Sequence, residues 1–131
     1  MDLYLCSMVV QKLQFLFLID VFLSLFTVPS KPPQNVTVAK DNSTSTSLFI
    51  HWRPVPANHQ NGIILGYRVL YKRSRSLDKL KSRNVSALST TIELKNLSKY
   101  TEYDVTVLAY TSKGNGMRAK FFTMSTTEDR K

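Results

Sequence analysis

Leu94-Lys95-Asn96-Leu97-Ser98-Lys99-Tyr100-Thr101-Glu102-Tyr103-Asp104-Val105-Thr106-Val107-Leu108-Ala109-Tyr110 is the stretch that decides the fold. From Tyr103 onward, Tyr103, Val105, Val107 and Ala109 alternate with Asp104, Thr106, Leu108 and Tyr110. Side chains of an extended strand point to opposite faces in turn, so this pattern gives a strand with one buried and one wetter face. The same period recurs outward along the chain. Tyr67, Val69 and Tyr71 alternate with Arg68, Leu70 and Lys72. Leu48, Ile50 and Trp52 share a face, with Phe49 and His51 opposite. Val36 and Val38 lie on one face of an opening segment that follows the helix-breaking Pro32-Pro33, and Ile92 with Leu94 form a shorter run. In the last run, Met117 to Thr126, the register is open: either Phe121 and Thr123 point inward, or Phe122 and Met124 do. Strand formers dominate and no window shows a helical apolar stripe. About six or seven short strands in roughly 100 residues predict an all-β antiparallel sandwich. Its expected core comprises Trp52, Tyr67, Val69, Tyr71, Leu97, Tyr103, Val105 and Val107.

Composition sets the limits around this reading. The 131 residues are 43% hydrophobic and 21% charged, which is globular composition for one domain. The single Cys6 and the two histidines, His51 and His59, exclude a disulfide scaffold and a structural zinc cluster. Four glycines leave no phosphate-cradling loop, and neither the P-loop nor the dinucleotide glycine pattern occurs. No serine lies in a nucleophile elbow, the histidines have no carboxylate or cysteine at useful spacing, and no acid falls on an inward position. No catalytic, cofactor-binding or metal-ligating residues are therefore assigned, and the expectation is a protein that is not an enzyme.

The chain divides by composition near residue 30. Leu13 to Val28 is dense in Leu, Phe, Ile and Val, preceded by Lys12 and interrupted by Asp20. Twelve apolar residues favour membrane insertion by about 5 kcal/mol in sum, and a central Asp opposes it by about 3 kcal/mol. So marginal a balance suits a transient targeting helix better than a permanent anchor. Residues 1–30 are read as a leader, a signal peptide with cleavage near Ser30 or, second, a membrane anchor. An uncleaved leader and a true start at Met8 stay open as well. Residues 31–127 form the sandwich and 128–131 a polar tail or linker.

Several motifs then occur in order. They are Pro33-x-Asn35-Val36-Thr37-Val38, Ser47-Leu48-x-Ile50-x-Trp52-x-Pro54-Val55, Asn61-Gly62-x-Ile64-x-Gly66-Tyr67-x-Val69-x-Tyr71, and Leu94-x-x-Leu97-x-x-x-Thr101-x-Tyr103-x-Val105-x-Val107-x-Ala109. With Asn115-Gly116 and a closing Thr126-Thr127-Glu128, this ordered set over residues 32–127 resembles a fibronectin type III domain. It departs from the family at Ser98-Lys99-Tyr100, where a proline usually precedes the Thr. The resemblance implies an immunoglobulin-like, seven-stranded antiparallel β-sandwich. It implies a binding and spacer role of the kind such modules play in ectodomains of adhesion receptors and receptor-type tyrosine phosphatases, with extracellular or cell-surface proteins as partners. Tyr103 fits a tyrosine corner, in which the phenol bonds the preceding loop. No Arg-Gly-Asp tripeptide is present.

Two surface features remain. One of the 18 basic residues and two of the nine acids precede residue 31, so residues 31–131 carry 17 bases against 7 acids. Six bases, Lys72, Arg73, Arg75, Lys79, Lys81 and Arg83, cluster at the end of the third strand, a loop and the next edge strand. Lys79, Lys81 and Arg83 alternate and should project from one face. Such a face attracts sulfated glycans, heparan sulfate among them, or an anionic membrane surface; equally, charge on an edge strand discourages strand-to-strand aggregation. Nucleic acid is a poorer partner, since aromatics are not interleaved with the bases. A stand-alone secreted factor that binds heparan sulfate is the alternative to an adhesion module. The second feature is four Asn-x-Ser/Thr acceptors, at Asn35, Asn42, Asn84 and Asn96. A glycan on Asn84, beside the basic strand, would partly shield it.

Overall fold

A computed structural model describes residues 27–127. Eight strands form two antiparallel sheets: β1 (Gln34–Val38), β2 (Leu48–Arg53), β3 (Gly66–Arg73), β4 (Lys81–Ser86), β5 (Thr91–Leu94), β6 (Glu102–Thr111), β7 (Gly114–Arg118) and β8 (Phe122–Ser125). One sheet has the order β1-β2-β5. The other runs β4-β3-β6, with both β7 and β8 along the far side of β6.

The register follows from the alternation. Opposed residues of an antiparallel pair share a face, so apolar positions must face apolar positions for one side of the sheet to be buried. Val69 lies opposite Val107 and Tyr71 opposite Val105 in the larger sheet; Leu48 lies opposite Leu94 and Ile50 opposite Ile92 in the smaller. These inner faces close on one core that includes Leu48, Ile50, Trp52, Tyr67, Val69, Leu94, Val105 and Val107. Tyr71, Leu97 and Tyr103 are also buried, at the margin of that core. The Tyr67 ring lies 5.5 Å from the Trp52 ring at 56°, a tilted aromatic contact. Burial pushes the Tyr67 phenol above its ordinary pKa, opposed in part by a hydrogen bond with the Val55 backbone.

The tail of the sandwich differs from a simple final strand. The run from Met117 to Thr126 is broken at Ala119–Phe121, and pairing with β6 begins earlier, at Gly114. At the break, the Ala119 N–H donates to Val107 O at 3.0 Å and Thr106 Oγ1 donates to Ala119 O at 2.6 Å. The crossing segment covers Thr106, which is fully buried although its parity is outward. The register shift between Leu108 and Tyr110 accommodates the change. Of the two registers left open for this run, Phe122 and Met124 pack against the core while Phe121 stays exposed. The seven strands of the expected sandwich are recovered by counting β7 and β8 as the two halves of one broken strand.

Residues 27–30 are seated on this body. Thr111 Oγ1 donates to Thr27 O (3.0 Å), Asn61 Nδ2 to Val28 O (3.1 Å) and the Met117 N–H to Pro29 O (3.3 Å), while the Ser30 N–H donates to His59 O (2.9 Å). Pro29 is fully buried, and a Cβ on Gly116 would stand 2.7 Å from its Cβ, so only glycine leaves room for the ring. The compositional boundary at residue 30 thus falls within the packed segment. The rest of the proposed leader, residues 1–26, and the polar tail, residues 128–131, lie outside the described residues.

The loop before β6 is tied by the Ser98 N–H, which donates to Tyr103 Oη at 2.9 Å. Ser98 is exposed, so water can reach its freed N–H, and the loss is that of an ordinary hydrogen bond, about 0.5–1.5 kcal/mol. Tyr103→Phe is therefore expected to lower stability by about 0.5–1.5 kcal/mol, a fall in Tm of roughly 4–8 °C per kcal/mol for a domain of this size. A thermal melt followed by circular dichroism reads this, and an unchanged Tm would show that the bond contributes nothing.

Candidate interaction surface

The basic cluster becomes a groove when the chain folds. Strand β4 is an edge of the larger sheet, and Lys81 and Arg83 lie opposite Tyr71 and Val69, on the core-facing side. Beyond the end of β5 the chain from Lys95 to Ser98 comes up from the other sheet. Between the two lies an open groove of about 650 Å³, floored by Tyr71, Leu97 and Tyr103 and lined by Lys72, Arg73, Lys79, Lys81, Arg83 and Lys95.

The six sequence-assigned bases do not all belong to it. Lys79 precedes β4 rather than lying within it, so the strand face that was expected to carry three cations carries two, Lys81 and Arg83; Lys79 reaches the same groove from the loop. Arg73 is engaged: its Nε and Nη2 donate to the two carboxylate oxygens of Asp78, at 2.6 and 3.1 Å. That paired geometry, led by the hydrogen bonds, raises the pKa of Arg73 and holds the Asp78 carboxyl below the usual carboxylate value. Lys72 is half-buried, with Nζ 3.4 Å from Ser76 O. Arg75 sits in the β3–β4 turn with φ +55° and borders a different depression, beside Tyr100 and Glu102. Lys95 was missed by the sequence reading. It stands alone in its own segment, and only the packing of the two sheets brings it to the cluster; its Nζ lies 3.7 Å from Glu93, an exposed and loose ion pair.

The glycosylation candidates Asn35, Asn42, Asn84 and Asn96 are all exposed. Asn84 is on the opposite face of β4 from Lys81 and Arg83, because it pairs with outward Arg68. Arg68 Nε donates to Asn84 Oδ1 (3.0 Å), its Nη1 donates to Asn115 Oδ1 (2.9 Å), and its guanidinium carbon lies 5.1 Å from the Tyr110 ring centre. A glycan on Asn84 would project over that outer face and leave the basic groove open, contrary to the shielding expected from neighbouring sequence positions. The acceptor at the groove is Asn96, in left-handed backbone (φ +61°) next to Lys95.

Among the described residues, no group of three or more His, Cys, Asp or Glu could hold a metal ion, and no helix is long and apolar enough to cross a membrane. His51 is exposed on β2, and His59 Nδ1 lies 3.1 Å from Ser30 Oγ at the seat of the N-terminal segment.

Comparison with known proteins agrees with the architecture. The family model described as "Fibronectin type III domain" matches residues 31–124. Cell adhesion molecule Dscam2 of Drosophila melanogaster is 37% identical over 107 residues, covering 78% of this chain and 5% of the fly protein. Protein sidekick-1 of Gallus gallus is 36% identical over 104 residues, covering 79% and 5%. The chain thus spans about one-twentieth of the length of these curated relatives. The solved third fibronectin III domain of human KIAA0343 protein superposes with a TM-score of 0.67 at 25% identity, over 81% of this chain and 89% of that one.

Proposed function

Since the chain belongs to the fibronectin type III family, we propose that it is a non-catalytic extracellular binding module, part of a cell-surface receptor or adhesion protein. The observation that carries this reading is the match, across most of the described sandwich, to relatives named as cell adhesion molecules. The fold supplies what such a role needs. Its core is filled by apolar side chains, and its exposed loops and strand edges are left for partners. The partners are extracellular or cell-surface proteins, and contact with a membrane comes through the leader or a parent protein. The alternative, a stand-alone secreted factor that binds heparan sulfate, draws support from the basic groove alone.

An exported chain meets the glycosylation machinery; an intracellular one does not. Full-length protein expressed in secretory cells is expected in the medium or at the cell surface, and to lose mass on treatment with an N-glycosidase. Peptide mapping should place the sugars among Asn35, Asn42, Asn84 and Asn96. A chain retained in the cytosol with unmodified asparagines would overturn the extracellular reading.

A further inference from the structure

We infer that the groove between β4 and the segment following β5 is a binding site for a linear sulfated glycan, of which heparin is the probe. The inference concerns a ligand class that the adhesion reading does not require, and it draws on that reading only for the compartment in which such glycans occur.

Three observations carry it. The first is charge from two directions. Lys79, Lys81 and Arg83 approach from the β4 side and Lys95 from the other sheet. The acid lining the groove, Asp78, is held by Nε and Nη2 of Arg73, and the charge of Lys81 adds a smaller attraction to it. Glu93 is a loose partner for Lys95 at 3.7 Å between exposed groups. The walls are therefore strongly positive, and walls of protein focus that potential into the trench.

The second is spacing. Lys81 and Arg83 share one face of an extended strand, so they repeat at about 6.6 Å along it. A polymer with anions at intervals can engage them in succession, with Lys79 and Lys95 at the flanks. The third is shape. The cations line a trench of about 650 Å³ rather than crown a convex surface, and the buried Tyr71, Leu97 and Tyr103 close its bottom, so an extended chain can lie between the two charged walls. A bilayer would instead need several apolar side chains projecting among the cations. Leu80, 41% exposed between Lys79 and Lys81, is the one exposed apolar side chain in the lining, and Leu77 is fully exposed in the nearby loop but does not line the groove.

The test uses full-length protein with its N-glycans removed, applied to immobilised heparin and eluted with a salt gradient. Two triple variants remove the same charge: Lys81→Ser/Arg83→Ser/Lys95→Ser within the groove, and Lys31→Ser/Lys40→Ser/Lys113→Ser at exposed positions outside it. Unchanged circular dichroism and melting confirm that each is folded. The wild-type chain is expected to elute well above physiological ionic strength of about 0.15 M. The groove variant should bind heparin about tenfold or more weakly, and the control variant less than about threefold more weakly. Equal losses in the two variants would show that net charge alone binds heparin, and would overturn the site. So would elution of the wild type below about 0.15 M salt, or binding to phosphatidylserine vesicles that matches heparin binding and is lost in Leu77→Ser/Leu80→Ser. The column reads the groove in whatever compartment the chain is found, so export and glycan binding fail independently.

Discussion

Trp52→Ala is expected to lower the stability of the module by about 3–5 kcal/mol, a large share of the 5–15 kcal/mol typical of a domain. The indole is fully buried between the sheets and stacked at a tilt on Tyr67, while the Trp52 backbone N–H, which the alanine variant keeps, donates to Thr90 O at 3.0 Å and holds the end of β2. Truncation opens a cavity that strands tied on both sides cannot collapse into, so lost transfer energy and lost packing add. Denaturant unfolding followed by far-ultraviolet circular dichroism measures the effect. Trp52→Phe separates two contributions. Among the described residues Trp52 Nε1 is buried with no hydrogen-bond partner, an orphan donor that costs stability in the native chain. The phenyl ring forfeits volume but removes that donor, so its loss should be only about 1–2 kcal/mol. A loss below about 1 kcal/mol for the alanine variant would mean that the core does not close on this ring.

Gly66→Ala is the second large effect, and a less obvious one. Gly66 is buried and pairs on both sides, with Ser86 of β4 and Tyr110 of β6. A Cβ there would intrude on the carbonyl oxygen of Val85 and stand 2.8 Å from Tyr110 Oη. The tyrosine can swing away; the backbone carbonyl can move only if β4 moves with it. Overpacking of this kind costs about 1–3 kcal/mol, and the backbone clash places this site near the upper end. The variant should therefore melt at a lower temperature and show faster amide hydrogen exchange confined to β4. Because Lys81 and Arg83 are carried by that strand, heparin retention should fall as well. Unchanged exchange in β4 would show that the strand yields at no cost.

The two predictions differ in how far they could be read from the chain. Trp52 announces itself: a large ring on the apolar face of an alternating strand has nowhere else to go. Gly66 lies in a recognisable motif, but its necessity comes from the carbonyl of Val85, a contact made by pairing with β4. Phe122 and Met124 illustrate the same limit. Both registers of the last run alternate equally well, and the choice is made where Thr106 Oγ1 bonds Ala119 O and the strand breaks.

The surface shows this divide most clearly. The cluster of bases from Lys72 to Arg83 is visible in the linear sequence, as are four glycan acceptors. That Arg73 is neutralised by Asp78, that Arg75 faces elsewhere, that Lys95 completes the groove and that Asn84 projects from its far side are not.

The order of residues by itself determined an all-β sandwich, the identity of its inward rings and its family. The two-residue period and the turn residues are local, and each strand carries its own division into a dry and a wet face. Only the tertiary structure decided which charges meet, where the last strand breaks and that residues 27–30 belong to the packed body. Those outcomes depend on register between strands distant in sequence and on how one sheet lies over the other, and no local pattern encodes either.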